Sequence, residues 1–195
     1  MPEPLSARCP FCHRLGSDRV CGACRSEVYL DGVSALAPYG NPVVRKALQT
    51  WKYDGDREIE KVLQQWLTAG AAHITPPLAP FHACAVPLHE GKQRQRGFDQ
   101  ADVVAQWASG LYGIPHTSLL VRKTKTASQA KRAGGSRQVG ELDGVFHIRR
   151  DVAVPEHVLL CDDVFTSGAT IDAAARTLKE AGAKQVWGWV IARGR

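Results

Sequence analysis

No apolar run in the 195 residues approaches the ~18 that a membrane span needs, which leaves no candidate for a membrane-spanning helix. The opening MPEPLSARCP has neither the basic stretch nor the apolar one that begins a secretion signal, so a cytoplasmic chain is expected. Acid is missing altogether between Val103 and Gly140, while Arg122, Lys123, Lys125, Lys131, Arg132 and Arg137 crowd the second half of that stretch. The whole chain carries +6, from 25 Lys and Arg against 19 Asp and Glu. A positive field without counter-charge attracts phosphate, on a small molecule or on a nucleic acid. A solvated surface loop is the competing reading of the same charges. What is there is otherwise ordinary for a globular protein: 44% hydrophobic and 23% charged residues, in a length that suits one domain with a small appendage.

Four of the six cysteines fall in the first 24 residues, as CPFC (Cys9, Cys12) and CGAC (Cys21, Cys24). Two such knuckles place four thiolates around one tetrahedral ion at ~2.3 Å each. Without a secretion signal disulfides are the weaker reading, and a segment this short has too little core to fold without a staple. Structural zinc is therefore expected, with no open position for catalysis and with His13 a bystander. Cys84 and Cys161 sit in apolar runs and read as buried small hydrophobes.

After the knuckles, Asp31-Gly32 between apolar stretches predicts a hairpin. Asn41-Pro42 opens a helix with Val44, Ala47, Leu48 and Trp51 on one face, and the WKYDGD segment breaks it. A second helix from Asp56 to Gly70 carries Ile59, Val62, Leu63, Trp66 and Leu67. From His82 short apolar runs alternate with helices: HACAVPL, a helix over 98–111, SLLV, GVFHI, VLLC, a helix over 170–181, and VWGWVIA. This alternation predicts an α/β fold with an open, mostly parallel, twisted sheet flanked by helices, and ligands beyond the carboxyl ends of its strands. Three segments are expected: 1–30 as a zinc-ribbon-like module, 31–80 as a helical hood or connector, and 81–195 as the α/β domain.

The informative stretch is VLLCDDVFTSGAT, Val158 to Thr170. Asp162 and Asp163 emerge at the end of a strand, and Thr166, Ser167, Gly168, Ala169 and Thr170 open a helix. Free backbone N–H groups at a helix start bind anions, glycine lets a ligand approach, and adjacent carboxylates accept from a diol. A Thr166 or Ser167 side chain that merely caps the helix would leave the two acids unexplained.

The stretch resembles the phosphoribosyl pyrophosphate signature of type I phosphoribosyltransferases: four mostly apolar residues, two acids and a T-[ST]-G-x-T loop. The order of front-end knuckles, KYDGD (Lys52 to Asp56), VPLHEGKQRQRGFDQA from Val86, RKTKTASQAKR from Arg122 and the signature resembles the ComF family over nearly the whole chain, with Asp99 where its pattern has Asn and Ser167 where Thr is common. That family is associated with DNA uptake in natural transformation. The resemblance implies that Asp162 and Asp163 bind the ribose hydroxyls and that Thr166 to Thr170 cradle the 5′-phosphate. It assigns Pro87, Leu88 and His89 to the pyrophosphate loop, where a strained or cis peptide is common. Arg122 to Arg132 would form a closing loop whose Arg122, Lys123 and Lys125 stabilise departing pyrophosphate. Mg²⁺ would be held chiefly by ligand oxygens.

Two segments keep two readings each. Arg94 and Arg96 of RQRGFDQ face a phosphate and Gln100 a ligand, or Gly97 ends a loop with Asp99 in the next helix's first turn. Lys52 and Tyr53 contact a ligand or partner, or form an ordinary helix end. Three function classes follow from the residues: a phosphoribosyltransferase of unknown acceptor, a non-catalytic holder of the same ligand, and a module contacting single-stranded DNA among DNA-uptake proteins. The final strand runs close to the last residue, so any acceptor pocket is expected from the knuckles and the two Trp-bearing helices before His82.

Overall fold

The computed structural model describes residues 5–74, 76–88, 98–123 and 144–194. Four parallel strands form its sheet: β1 (Gly32–Pro38), β2 (His82–Ala85), β5 (His157–Phe165) and β6 (Gln185–Arg193), in the spatial order β1-β6-β5-β2. The expected mostly parallel α/β architecture is therefore present. All four strands point the same way, so their carboxyl ends lie along one rim.

Helices cover both faces. On one, α1 (Pro42–Asp54), α2 (Arg57–Gly70) and α3 (Gln100–Tyr112) bury Val44, Leu48, Trp51, Leu63, Leu67 and Val104 against Leu159 and Cys161 of β5. On the other, α4 (Ala169–Glu180) buries Ile171, Ala174, Ala175 and Leu178 against Val158 and Leu160. β5 serves both cores because successive side chains of a strand point to opposite faces. Cys84 and Cys161 are fully buried, and loss of hydration pushes the Cys84 thiol up to about 11. Both behave as the small hydrophobes expected.

The helix starts follow their local chemistry. Asn41 caps α1 by accepting from the Val43 and Val44 N–H groups, with Pro42 at the first helical position. Gly55, at φ 62°, ends α1, and Asp56 immediately caps α2 through the Glu58 and Ile59 N–H groups. Among the described residues no helix is long and apolar enough to cross a membrane.

Two expectations are corrected. Asp31-Gly32 makes no hairpin: Gly32 starts β1, which pairs parallel with β6. Gly32 is a packing glycine, since a Cβ there would stand 2.3 Å from the Trp187 ring and 2.6 Å from the Asp18 carbonyl. Residues 31–80 thereby contribute a sheet edge as well as helices. SLLV and GVFHI also stay outside the parallel sheet. As β3 (Leu120–Arg122) and β4 (Phe146–Ile148) they form a separate antiparallel pair. Leu120 pairs with Ile148 and Arg122 with Phe146, the opposed register of an antiparallel pair.

Candidate functional site

β5 carries Asp162 and Asp163 to the rim. Asp163 is buried and its Oδ2 meets Lys52 Nζ at 2.6 Å. Lys52 is aimed there by its neighbour Trp51, which is fully buried, stacks on Trp107 at 5.5 Å and donates from Nε1 to Glu60 at 3.1 Å. Asp162 is half-buried, and its Oδ1 accepts from the Asp163 N–H at 2.8 Å. Desolvation, and then the charge of Asp163, push its carboxyl well above the usual range; the Asp163 N–H and Lys52 act against this. One acid of the pair is thus matched by a cation and the other is held in want of one.

Arg122, at the end of β3, is a second cation, after Lys52, whose field couples to Asp162. Burial pulls its guanidinium down and the Asp162 charge opposes that. Its Cζ lies 5.4 Å from the Phe146 ring centroid, and its Nε is buried without a hydrogen-bond partner among the described residues. Lys123 is exposed, its N–H donating to the Val145 carbonyl. Lys125, His89, Arg94 and Arg96 lie outside the described residues.

Beyond Phe165 the chain turns through Thr166 and Ser167, both exposed, to Gly168. Gly168 is the N-cap of α4 at φ 80° and makes no side-chain capping bond. The simple capping reading therefore fails, since Ser167 Oγ reaches only the Ala169 N–H, at a long 3.4 Å. The one acid of the first turn, Asp172, is committed elsewhere: its Oδ1 accepts from Tyr29 and Leu30 N–H at 2.8 and 2.9 Å. The positive end of α4 is left facing a small cavity of about 60 Å³ bounded by Asp162 and Thr166 to Ile171.

At the end of β2, Pro87 and Leu88 share a cavity of about 370 Å³ with Asp99 and Arg122. Asp99 caps α3 through the Ala101 N–H at 3.0 Å and accepts from the Leu88 N–H at 3.3 Å, tying that turn to the helix. Asp99 is therefore the N-cap, one residue ahead of the first turn in which the plainer RQRGFDQ reading placed it. No peptide among the described residues is cis.

The four N-terminal cysteines converge, with every Sγ within 4.8 Å of the others and Cys12 and Cys21 at 3.5 Å. Bonds of ~2.3 Å to a tetrahedral ion set sulfur separations of about 3.8 Å, so the set fits zinc. His13 is not part of it. Burial opposes ionisation of Cys9, yet the N–H groups of Cys12, Cys21 and Phe11 hold its thiol down to about 6.

This module is fastened to the rim. Phe11, between the first two cysteines, packs edge-on against Phe165 at 5.7 Å. A Cβ on Gly168 would stand 2.8 Å from the Phe11 ring and 2.6 Å from that of Phe165. Arg193, buried at the end of β6, donates to the Arg8 and Ser6 carbonyls and to Asp18 Oδ1 at 3.1 Å. Asp31 accepts from Lys179, Arg25 and the Val186 N–H, and these donors outweigh burial and hold its carboxyl low. Lys52, left open by its sequence, and Phe11 and Arg193, not singled out, are the residues that build the site. Their only signals were a lysine beside a core tryptophan, an aromatic inside a knuckle, and a charge ending an apolar strand.

No model of a known protein family matches the chain. Among characterised proteins, competence protein ComFC of Streptococcus pneumoniae is 30% identical over 188 residues, 95% of this chain and 75% of that protein. Competence protein F of Haemophilus influenzae is 26% identical, covering 94% of this chain and 85% of that protein. The DNA utilization protein YhgH of Escherichia coli K12 is 26% identical over 95% of this chain and 83% of its own length.

Proposed function

The chain belongs to the ComF family, and from that premise we propose that its rim binds 5-phosphoribosyl pyrophosphate within a role in DNA uptake. One observation carries the reading: a single strand delivers Asp162 and an uncapped, glycine-turned helix start to the same small cavity, with Asp163 next to it in the strand. The 5′-phosphate takes the N–H groups of Gly168 to Thr170, where the helix dipole favours negative charge. The ribose diol donates to Asp162 and Asp163. Lys52 neutralises the Asp163 carboxylate and leaves Asp162, whose ionisation burial opposes, to be met by the ligand. Arg122, with Pro87 and Leu88 across the neighbouring cavity, faces the pyrophosphate.

Among the described residues the only convergent group of three or more metal-ligating side chains is the cysteine set. Mg²⁺ would accordingly enter on the pyrophosphate and ribose oxygens, where it supplies charge neutralisation. The cysteines would hold a structural zinc that keeps Phe11 against Gly168. The names of the relatives, competence and DNA utilization proteins, support the cellular role.

Competition tests the reading: with Mg²⁺ present, ribose 5-phosphate and inorganic pyrophosphate should each displace the full ligand, since they occupy different parts of the rim. Failure of both to compete contradicts it. Pyrophosphate release on adding nucleobases then separates transfer, in which an acceptor nitrogen bonds to C1′ as the C1′–O bond to pyrophosphate breaks, from simple holding of the ligand.

A further inference from the structure

The four thiols of the knuckles are not equally reachable. Cys9 is buried, Cys21 and Cys24 are half-buried, and Cys12 is exposed with its Sγ 3.5 Å from that of Cys21. We propose that Cys12 is a peroxide-reactive site: its oxidation to a disulfide with Cys21 empties the cysteine set and slackens the phosphate-loop turn through Phe11. The consequence for ligand binding rests on the ribose-phosphate reading above, whereas the sulfur chemistry and the change at the turn do not.

Atoms and electrons balance at sulfur. Ligation keeps the thiols deprotonated, and the thiolate is the form that reacts. The Cys12 thiolate attacks one peroxide oxygen, the O–O bond breaks, and a sulfenic acid and hydroxide form. The Cys21 thiolate then attacks that sulfur, closing the S–S bond and expelling a second hydroxide. The two thiolates have lost two electrons, and the peroxide with two protons has become two waters. Cys9 and Cys24 remain, and a pair of thiolates does not hold a tetrahedral ion that took four. Cys84 and Cys161, buried in the two cores, are out of reach of the same oxidant.

Little besides the ion holds the knuckles in shape. Within residues 5–30 only Cys9, Pro10, Val20 and Leu30 are buried, so the ion stands in for a core. His13, directly after Cys12, lies at φ 61°, a left-handed backbone that a non-glycine residue keeps only where its surroundings impose it. Opening the knuckle lets that residue relax, and Phe11, on the other side of Cys12, moves with it. Phe11 is the contact that reaches the loop: its ring packs 5.7 Å from that of Phe165 and leaves no room for a Cβ on Gly168. The rest of the segment is tied down independently. Arg193 donates to the Ser6 and Arg8 carbonyls and to Asp18, and Asp172 accepts from the Tyr29 and Leu30 N–H groups. Oxidation thus frees Phe11 locally and leaves the segment attached.

Stoichiometric hydrogen peroxide added to the zinc-loaded full chain tests this. Expected are release of the metal to a chromogenic chelator, a Cys12–Cys21 disulfide in peptide mapping, and faster amide hydrogen exchange from Gly168 to Ile171. Ribose 5-phosphate affinity should fall by about tenfold, the scale on which small displacements of positioned groups are felt, and dithiothreitol with zinc should restore each property. Cys12→Ser should keep its metal at the same peroxide dose. Phe11→Ala serves where Cys12→Ser does not load zinc: it should still release metal on oxidation, with no further change at the loop. Metal release that leaves exchange from Gly168 to Ile171 unchanged overturns the coupling. Retention of the metal, or oxidation that spares Cys12, overturns the site. If ribose 5-phosphate does not bind the untreated protein, the loop reading falls separately, and metal release with amide exchange still decides the redox proposal.

Discussion

Removing the Lys52 ammonium should destabilise the protein far more than the loss of a surface charge. Its Nζ lies 2.6 Å from Asp163 Oδ2, with only 20% and 9% of the two side chains exposed. At an effective dielectric of about 20, unit charges at that separation attract by roughly 6 kcal/mol before desolvation is subtracted. Breaking one side of such a pair costs about 3–5 kcal/mol, because the remaining charge stays buried. Lys52 is partly hydrated, which places Lys52→Met near the lower end, about 3 kcal/mol. For a chain of 195 residues each kcal/mol moves Tm by about 2–4 °C, so a fall of roughly 6–12 °C is expected. Asp163→Asn should cost less, since the Lys52 ammonium it leaves unpaired is the more exposed of the two charges. The double variant should melt close to Asp163→Asn alone, giving a coupling of about 2 kcal/mol or more in calorimetric unfolding at pH 7. Additivity within about 0.5 kcal/mol would mean that the pair behaves like an exposed one, and would refute the reasoning.

Two further outcomes follow from the same geometry. The Asp162 carboxyl is raised by burial and by Asp163, so the native state binds a proton that the unfolded state has already released. Its penalty is absent below the ordinary carboxylate range and grows as pH rises toward the raised native value. Asp162→Asn should therefore gain about 1 kcal/mol at neutral pH while losing ribose-phosphate affinity, read by thermal melts across pH 4–8; a variant that is less stable at every pH contradicts this. Stripping the cysteine site with a chelator, or replacing Phe11 with Ala, should weaken ribose 5-phosphate binding by about tenfold through the slackened Gly168 turn, since a small misplacement of positioned groups is costly. Unchanged affinity would show that the module only rides on the domain.

Much of this site was legible in VLLCDDVFTSGAT, because strand, acids, glycine turn and helix are contiguous and each has its own local cause. The caps at Asn41 and Asp56 and the four thiols were legible for the same reason. Contacts between distant segments were not. Asp31-Gly32 carries a turn signal, yet Gly32 is required by Trp187, 155 positions along, and the Asp31 carboxylate serves the Val186 N–H. The antiparallel β3–β4 pair could not be told from two more parallel strands by periodicity, which reports burial and not direction. Lys52 sits at a helix end that local rules already explain. Only the placement of α1 over β5, set by Trp51 and Trp107, turns it toward Asp163.

The central claim is that Asp162, Asp163 and the Gly168 turn form one ribose 5-phosphate site. Calorimetric titration of 5-phosphoribosyl pyrophosphate with Mg²⁺ into the protein and into Asp162→Asn/Asp163→Asn tests it most directly. Binding of one ligand per chain, abolished in a double variant that still unfolds cooperatively, is the result expected. Equal affinity in the two proteins, or no binding to either, would contradict it.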